Sequence, residues 1–353
     1  MPVRPLVAFV GASLGISLLA AVVAAQDATF KGANRTVAVY ATVTGADGRL
    51  VPDLPRDAFA VLDNGKRQDL TLFVNDIQPI TVVMLLDRSA SMRANFSLVE
   101  KAAEQFVTDM LPADKARIGS FSNRIQVDPR DFTSSHDVLL DILRTELQPE
   151  GPTPLWNAVN VGITDLLHQQ GRRVVLVFTD GVDSPFNSSA NNNSLKDVMK
   201  RAEEEDVMVY AIGLAGQNGP AAGGGGYGGP RGPGGGGGRG GFGGRGGFGR
   251  GGGGGYGRGG GNGGGGSRAA QDDKPDEGLA KIAAATGGGY FEIMSTTDLA
   301  AAFSRVADEL HHQYALGFTP LMLDGKMHAL ELRVSDPAMK ARARRNYLAR
   351  QQS

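Results

Sequence analysis

The segment "ITVVMLLDRSASM" runs from Ile80 to Met92, and its second half sets an acid and two hydroxyls at alternate positions: Asp87, Ser89 and Ser91. A second acid, Asp180, ends another apolar run in "RRVVLVFTDG". Between the two, "EGPTPLWNAV" offers a third hydroxyl, Thr153, just ahead of a helical pattern. Two carboxylates and three neutral hydroxyls form an all-oxygen set. With no thiolate and no neighbouring histidine, such a set suits a hard cation better than zinc: Mg²⁺ first, with Mn²⁺ or Ca²⁺ as alternatives. The two carboxylates balance the ion's charge and the hydroxyls add none, so a coordination position left to water keeps enough Lewis acidity to take a carboxylate from a partner. Nothing in the set stands ready as a general base, so no catalytic residue is assigned and the chemistry implied is binding. Asp183, in "TDGVDS", reads as a loop cap or as a group behind the ion-holding residues.

For Asp87 and Asp180 to meet, the runs that carry them must be strands of one sheet. "ITVVMLLD" and "RRVVLVFTD" are continuous apolar runs, the pattern of strands buried on both faces. "ARIGSFS", "VMVYAIGL" and "GGYFEI" read as further strands. Helical spacing marks "SLVEKAAEQFVTDML", "HDVLLDILRTEL", "PLWNAVNVGITDLLHQQ", "SLKDVMKRAEEED", "EGLAKIAAAT" and "TTDLAAAFSRVADELHHQ". This alternation predicts an α/β fold, a mostly parallel sheet with helices on both faces. All strands of such a sheet end on one edge, and ligands bind in the crevice there. The flanks differ. "TVAVYATVT" alternates and leads into the turn "GADGR"; "DAFAVLDNGKRQDLTLF" holds an Asn64-Gly65 turn; "YALGFTP" and "HALELRVSD" return to β patterning. The first and last segments are expected to pair into one small β-sandwich with the α/β unit inserted between them; two separate appendages are the alternative.

The order of "DRSAS" (Asp87, Ser89, Ser91), Thr153 in G-x-T-x-L and Asp180 in T-D-G resembles the metal-ion-dependent adhesion site of von Willebrand factor type A domains. The likeness covers residues 79–313, interrupted by a glycine-rich insertion. It implies a Rossmann-like domain in which the first Asp and both serines bind the ion directly, and Thr153 and Asp180 bind it directly or through water. It also implies a protein-binding or adhesion module rather than an enzyme, with an acidic side chain supplied by the partner. Pro152 and Pro154 bracket Thr153 and stiffen a loop that moves in some relatives. The β-rich flanks look similar to exported bacterial proteins related to this domain. The organisation expected is a signal peptide at 1–25, a β-rich segment at 30–78, the α/β domain at 79–313 with a Gly/Arg-rich insertion at 215–275, and a β-rich segment at 314–350.

"MPVRPLVAFVGASLGISLLAAVVAAQD" has a basic start at Arg4, an apolar run from Leu6, and small residues at Val23 and Ala25. That is the pattern of an export signal with cleavage before Gln26, and an uncleaved membrane anchor is the alternative. Gly11 to Gly15 matches G-x-S-x-G, but within this segment it has no strand-turn-helix setting and is set aside. Cysteine is absent, which excludes disulfides, thiolate metal sites and cysteine nucleophiles. The net charge of −1 gives no global attraction for polyanions. The partner expected is therefore an extracytoplasmic protein presenting an acidic residue, with a cell-envelope polymer as the other candidate.

Most of the chain's 52 glycines lie between 216 and 266. In "RGGFGGRGGFGRGG" the residues Arg239, Arg245 and Arg250 interleave with Phe242 and Phe248, with no acid among them. Backbone attraction and base stacking are physically available to such a run, so polyanion or nucleic-acid contact is an alternative role. Export disfavours RNA, and the composition reads first as a disordered tether. Asp47, Asp53, Asp272 and Asp273 read as turn or solvated residues, Trp156 and Tyr314 as packing residues. His311 and His312 read as a solvated helix end, and the basic "KARARRNYLAR" as a solvated edge strand.

Overall fold

The computed structural model describes residues 36–147, 151–185, 192–215 and 276–351. The expected signal at 1–25, residues 216–275 of the insertion and Asp272 and Asp273 lie outside the described residues.

The chain opens with β1 (Val37–Thr44), β2 (Phe59–Asp63), β3 (Lys66–Gln68) and β4 (Leu70–Val74). The α/β portion follows: β5 (Ile80–Asp87), α1 (Phe96–Asp109), β6 (Lys115–Phe121), β7 (Ile125–Thr133), α2 (His136–Thr145), α3 (Leu155–Leu166) and β8 (Arg172–Thr179). It continues through α4 (Leu195–Glu204), β9 (Met208–Leu214), α5 (Glu277–Thr286), β10 (Tyr290–Ile293) and α6 (Leu299–His311). Last come β11 (Tyr314–Phe318), β12 (Met327–Val334), β13 (Lys340–Arg342) and β14 (Asn346–Leu348).

The central six-stranded sheet has the order β10-β9-β8-β5-β6-β7. All its neighbouring pairs are parallel except β6 with β7. Every residue of β5 and β9 is buried, because helices cover both faces. Ile80, Val82, Met84 and Leu86 face one layer with α1, α2 and α6; Val83 and Leu85 face the other with α3, α4 and α5. Local chemistry sets the helix ends. Ser135, Ser194 and Asp276 accept backbone N–H groups at the starts of α2, α4 and α5, which satisfies donors that have no partner inside the helix. Gly287, at φ 82°, ends α5 in a left-handed turn. β7 was not foreseen. Its sequence "IQVDPRDFT" carries a proline and three charged residues, and these are tolerated because it forms a half-exposed edge.

Two antiparallel four-stranded sheets, β13-β1-β11-β4 and β14-β12-β2-β3, enclose a second core around Val39, Phe59, Val61, Tyr314, Leu316 and Phe318. The first strand of the chain thus pairs with β11 and β13, and β2 pairs with β12. Asn64 and Gly65, both at positive φ, make the tight turn between β2 and β3.

Two expectations about charge are corrected. The basic tail does form edge strands, β13 and β14, but most of it is not solvated. It lies in the seam between the antiparallel sheets and the α/β layers, where Arg342 pairs with buried Glu309, Arg344 with Asp206 at 2.7 Å and Arg350 with Glu205 at 2.7 Å. His311 is buried, not solvated, with Nε2 2.7 Å from the carboxylate of Asp114. That carboxylate also accepts the amides of Ile80 and Leu111, which anchors the start of β5. Among the described residues, no helix is long and apolar enough to cross a membrane.

Candidate metal centre

β5 and β8 are adjacent and parallel, with Leu86 opposite Phe178. One residue further along, Asp87 comes level with Thr179, and Asp180 follows at the strand's end. After Asp87 the chain stays extended at Ser89 and then enters a short 3-10 turn, Ala90–Asn95, which turns the Ser91 side chain back to the sheet edge. A continuous chain of polar contacts results. The Ser89 amide donates to Asp87 Oδ1 at 2.7 Å, and the Thr179 hydroxyl donates to Asp87 Oδ2. The Ser89 and Ser91 hydroxyls lie 3.1 Å apart, and Ser91 Oγ donates to Asp180 Oδ1 at 2.9 Å.

Thr153 reaches the same edge through its loop. Its backbone exchanges two hydrogen bonds with Ser184, at 3.2 and 2.8 Å, in the loop that follows Asp180. A side chain at Gly181 would lie 3.5 Å from the Thr153 hydroxyl, so the two loops touch. On its other side this loop joins the one after β5: the Gly151 amide donates to the Arg88 carbonyl, and the Ala90 amide to the Gly151 carbonyl, both at 3.2 Å. Gly151 is required there, since a Cβ would come within 2.6 Å of the Asn123 amide nitrogen. The structure therefore gathers Asp87, Ser89, Ser91, Thr153 and Asp180 on one edge. Asp183 stands behind them. Its Oδ1 accepts the Trp156 amide at 3.2 Å at the start of α3, and its own amide donates to Asp276 Oδ2 at 3.3 Å. Asp276 in turn accepts the Gly278 amide at 2.7 Å at the start of α5.

Burial dominates the electrostatics. Asp87 is fully buried, and desolvation pushes its carboxyl up to about 7 against the hydrogen bonds from Thr179 and Ser89; the Asp180 charge adds to the rise. Asp180 is also raised by burial, opposed by its bond from Ser91. Among the described residues no basic side chain forms an ion pair with either carboxylate. The nearest in sequence, Arg88, pairs with Glu100 at 2.7 Å and stacks on Phe96. A fully buried and a partly buried carboxylate, bridged by hydroxyls and without a cationic partner among the described residues, fit a hard divalent ion. The described residues contain no group of three or more His, Cys, Asp or Glu placed to hold a metal ion.

Thr179, Gly151 and Asp276 had not been singled out from the sequence. Thr179 was visible as the hydroxyl before Asp180, but its role depends on β5 and β8 being neighbours. Arg239, Arg245, Arg250, Phe242 and Phe248 lie outside the described residues.

Among solved structures, proximal thread matrix protein 1 from the mussel byssus is 12% identical, with a TM-score of 0.46 over 70% of this chain and 51% of that one. Another structure of the mussel protein, described as having a zinc-occupied MIDAS motif, is 14% identical, with a TM-score of 0.45 over 69% and 48%. An aerotolerance-related membrane protein from Bacteroides fragilis NCTC 9343 is 15% identical, with a TM-score of 0.41 over 65% and 99%. This chain thus spans about half the length of the mussel protein. No curated protein sequence matches it. The family description "von Willebrand factor type A domain" matches residues 81–222, which begin at the second residue of β5 and take in Asp87, Ser89, Ser91, Thr153 and Asp180. The chain carries a von Willebrand factor type A domain.

Proposed function

We propose that this chain is an exported protein-binding module that holds a divalent cation, Mg²⁺ before Mn²⁺ or Ca²⁺, with Asp87, Ser89, Ser91, Thr153 and Asp180. The observation that carries this reading is the hydroxyl-bridged pair of carboxylates, one fully and one partly buried, with no basic partner among the described residues. When bound, the ion supplies a Lewis-acidic position for the carboxylate of an extracytoplasmic partner protein. The residues around it hold the site in place. Thr179 and the Ser89 amide fix the Asp87 carboxylate, Ser91 orients Asp180, and Asp183 holds the Thr153 loop from behind by capping α3. The same proposal takes residues 79–313 as the binding domain and the β-rich ends as its support, with export directed by residues 1–25.

The test is isothermal titration of the full chain with Mg²⁺ and Mn²⁺, followed by capture of envelope proteins with and without chelator. One ion per chain should bind. Asp87→Asn, which keeps the side-chain shape, should weaken ion binding by about a hundredfold or more, on the order of 3 kcal/mol. Partner capture should then be lost with both the variant and the chelator. Capture indifferent to both would sink the proposal.

A further inference from the structure

Asp276 caps α5, but capping alone does not call for an aspartate at that position. A first-turn amide needs one acceptor, and Ser135 and Ser194 each supply a single hydroxyl at the starts of α2 and α4. Asp276 uses two oxygens: Oδ1 accepts the Gly278 amide at 2.7 Å and Oδ2 accepts the Asp183 amide at 3.3 Å. Serine, threonine and asparagine caps offer one acceptor oxygen; aspartate offers two. The second oxygen comes at a cost. Burial raises the Asp183 carboxyl against the bond from the Trp156 amide, and the Asp276 charge adds to the rise. Two acids set side by side repel, so the contact serves something besides the helix.

What it serves is visible at the start of α3. The residue before that helix, Pro154, has no side-chain acceptor, so the Trp156 amide is met from outside by Asp183 Oδ1 at 3.2 Å. The adjoining Ser184 exchanges two backbone hydrogen bonds with Thr153. Strands fix Asp87 and lead directly to Asp180, but Thr153 stands on a loop, and residues 183 and 184 frame it. The frame's own amide, that of Asp183, ends on Asp276. The start of α5 is a firm reference for that bond. It is seated so closely on Trp156 that a Cβ at Gly278 would come within 2.5 Å of the indole Cζ2.

We propose that Asp276 is a positioning residue for the metal site: its Oδ2, through the Asp183 amide, sets the loop that presents Thr153 to the ion. The proposal rests on the metal reading above, and its test separates the two. In the full chain, Asp276→Asn and Asp276→Ser each keep one acceptor for Gly278 and lose the oxygen that meets Asp183. Ser135→Ala is the control, removing a one-oxygen cap on the other face of the sheet. Three quantities are measured: Mg²⁺ Kd by calorimetry in low and in about 1 M KCl, where charges are screened within about 3 Å; the urea midpoint without ion; and acrylamide quenching, without ion, of Trp156, the chain's one tryptophan. Both Asp276 variants should raise Kd about tenfold at either salt concentration. Their urea midpoints should stay near wild type while Trp156 becomes easier to quench. Ser135→Ala should lower the urea midpoint and leave Kd and quenching unchanged. A wild-type chain that binds no Mg²⁺ overturns the metal reading and this proposal together. Wild-type binding with an unchanged Kd in both Asp276 variants overturns this proposal alone. So does a Kd difference that vanishes in high salt, which would leave Asp276 acting only through its charge.

Discussion

The two edges of the six-stranded sheet solve opposite problems. At the carboxyl edge, Asp87 and Asp180 are bridged by hydroxyls and have no basic partner among the described residues, on a surface reached by loops alone. At the amino edge the antiparallel sheets close over the strand starts, and buried or half-buried carboxylates find partners within the protein: Glu309 meets Arg342, Asp206 meets Arg344, and Asp114 meets the His311 ring and two backbone amides. One edge leaves negative charge for something to arrive; the other consumes its charges in holding two layers together. The difference teaches that burial of charge is not by itself a mark of a site. What separates the two is whether the chain provides the counter-charge.

That contrast is breakable. Arg342→Met removes the partner of a carboxylate that is 2% exposed. It should cost about 3 kcal/mol in urea unfolding, because Glu309 is left buried with the more distant Arg305 and a long bond from the Tyr210 hydroxyl, and adding Glu309→Gln should recover most of the loss. If the single variant unfolds like wild type, the amino edge is not held by matched charge.

The carboxyl edge should respond to pH in the opposite sense to an ordinary salt-bridged carboxylate. Asp87 keeps its proton up to about 7 in the folded chain, against 3.8 as its ordinary value. Its contribution to stability is therefore whole below about pH 4 and is lost as pH rises to about 7, a change of roughly 4 kcal/mol in chelated protein, of which about 2–3 kcal/mol falls between pH 5 and pH 8. Excess Mg²⁺ should reverse the trend at the upper end of that range, and Asp87→Asn should remove the difference between chelated and Mg²⁺-loaded protein. Urea midpoints at pH 5 and pH 8, with and without chelator, provide the measurement; parallel curves would contradict the picture of an uncompensated carboxylate.

The smallest expected effect touches no ion-holding residue. Gly151→Ala places a Cβ against the Asn123 backbone and shifts the loop that carries Thr153. Mg²⁺ affinity should fall about tenfold with little change in amino-edge stability. Unaltered affinity would mean that the Thr153 loop is not positioned through Gly151.

Much of this arrangement can be seen in the sequence because it rests on local patterns. Asp87 and Asp180 end apolar runs whose lack of alternation already requires cover on both faces, and alternating helices supply that cover. What could not be seen depends on neighbours distant in the chain. Only the strand order sets Thr179 against Asp87, and only the fold brings Asp276 to Asp183 across 93 residues. β7 was hidden by its proline and charges, which an edge strand tolerates and an inner one does not. Charged residues misled for a common reason. His311 and the arginines of the tail read as solvated because charge usually is, and nothing local announces that another layer will close over them.

The link from Asp183 to Asp276 bears on how this chain can change over time. Ala215 is fixed by its amide to the Ile293 carbonyl, and Asp276 by its bonds to the amides of Asp183 and Gly278. Both banks of the 216–275 stretch are thus fastened by the folded domain itself. A stretch between two ends so held can change in sequence without touching the contacts that hold them. Its composition is then free to drift or be selected without renegotiating the fold. The same property makes the gap between Ala215 and Asp276 a natural point at which to insert foreign sequence.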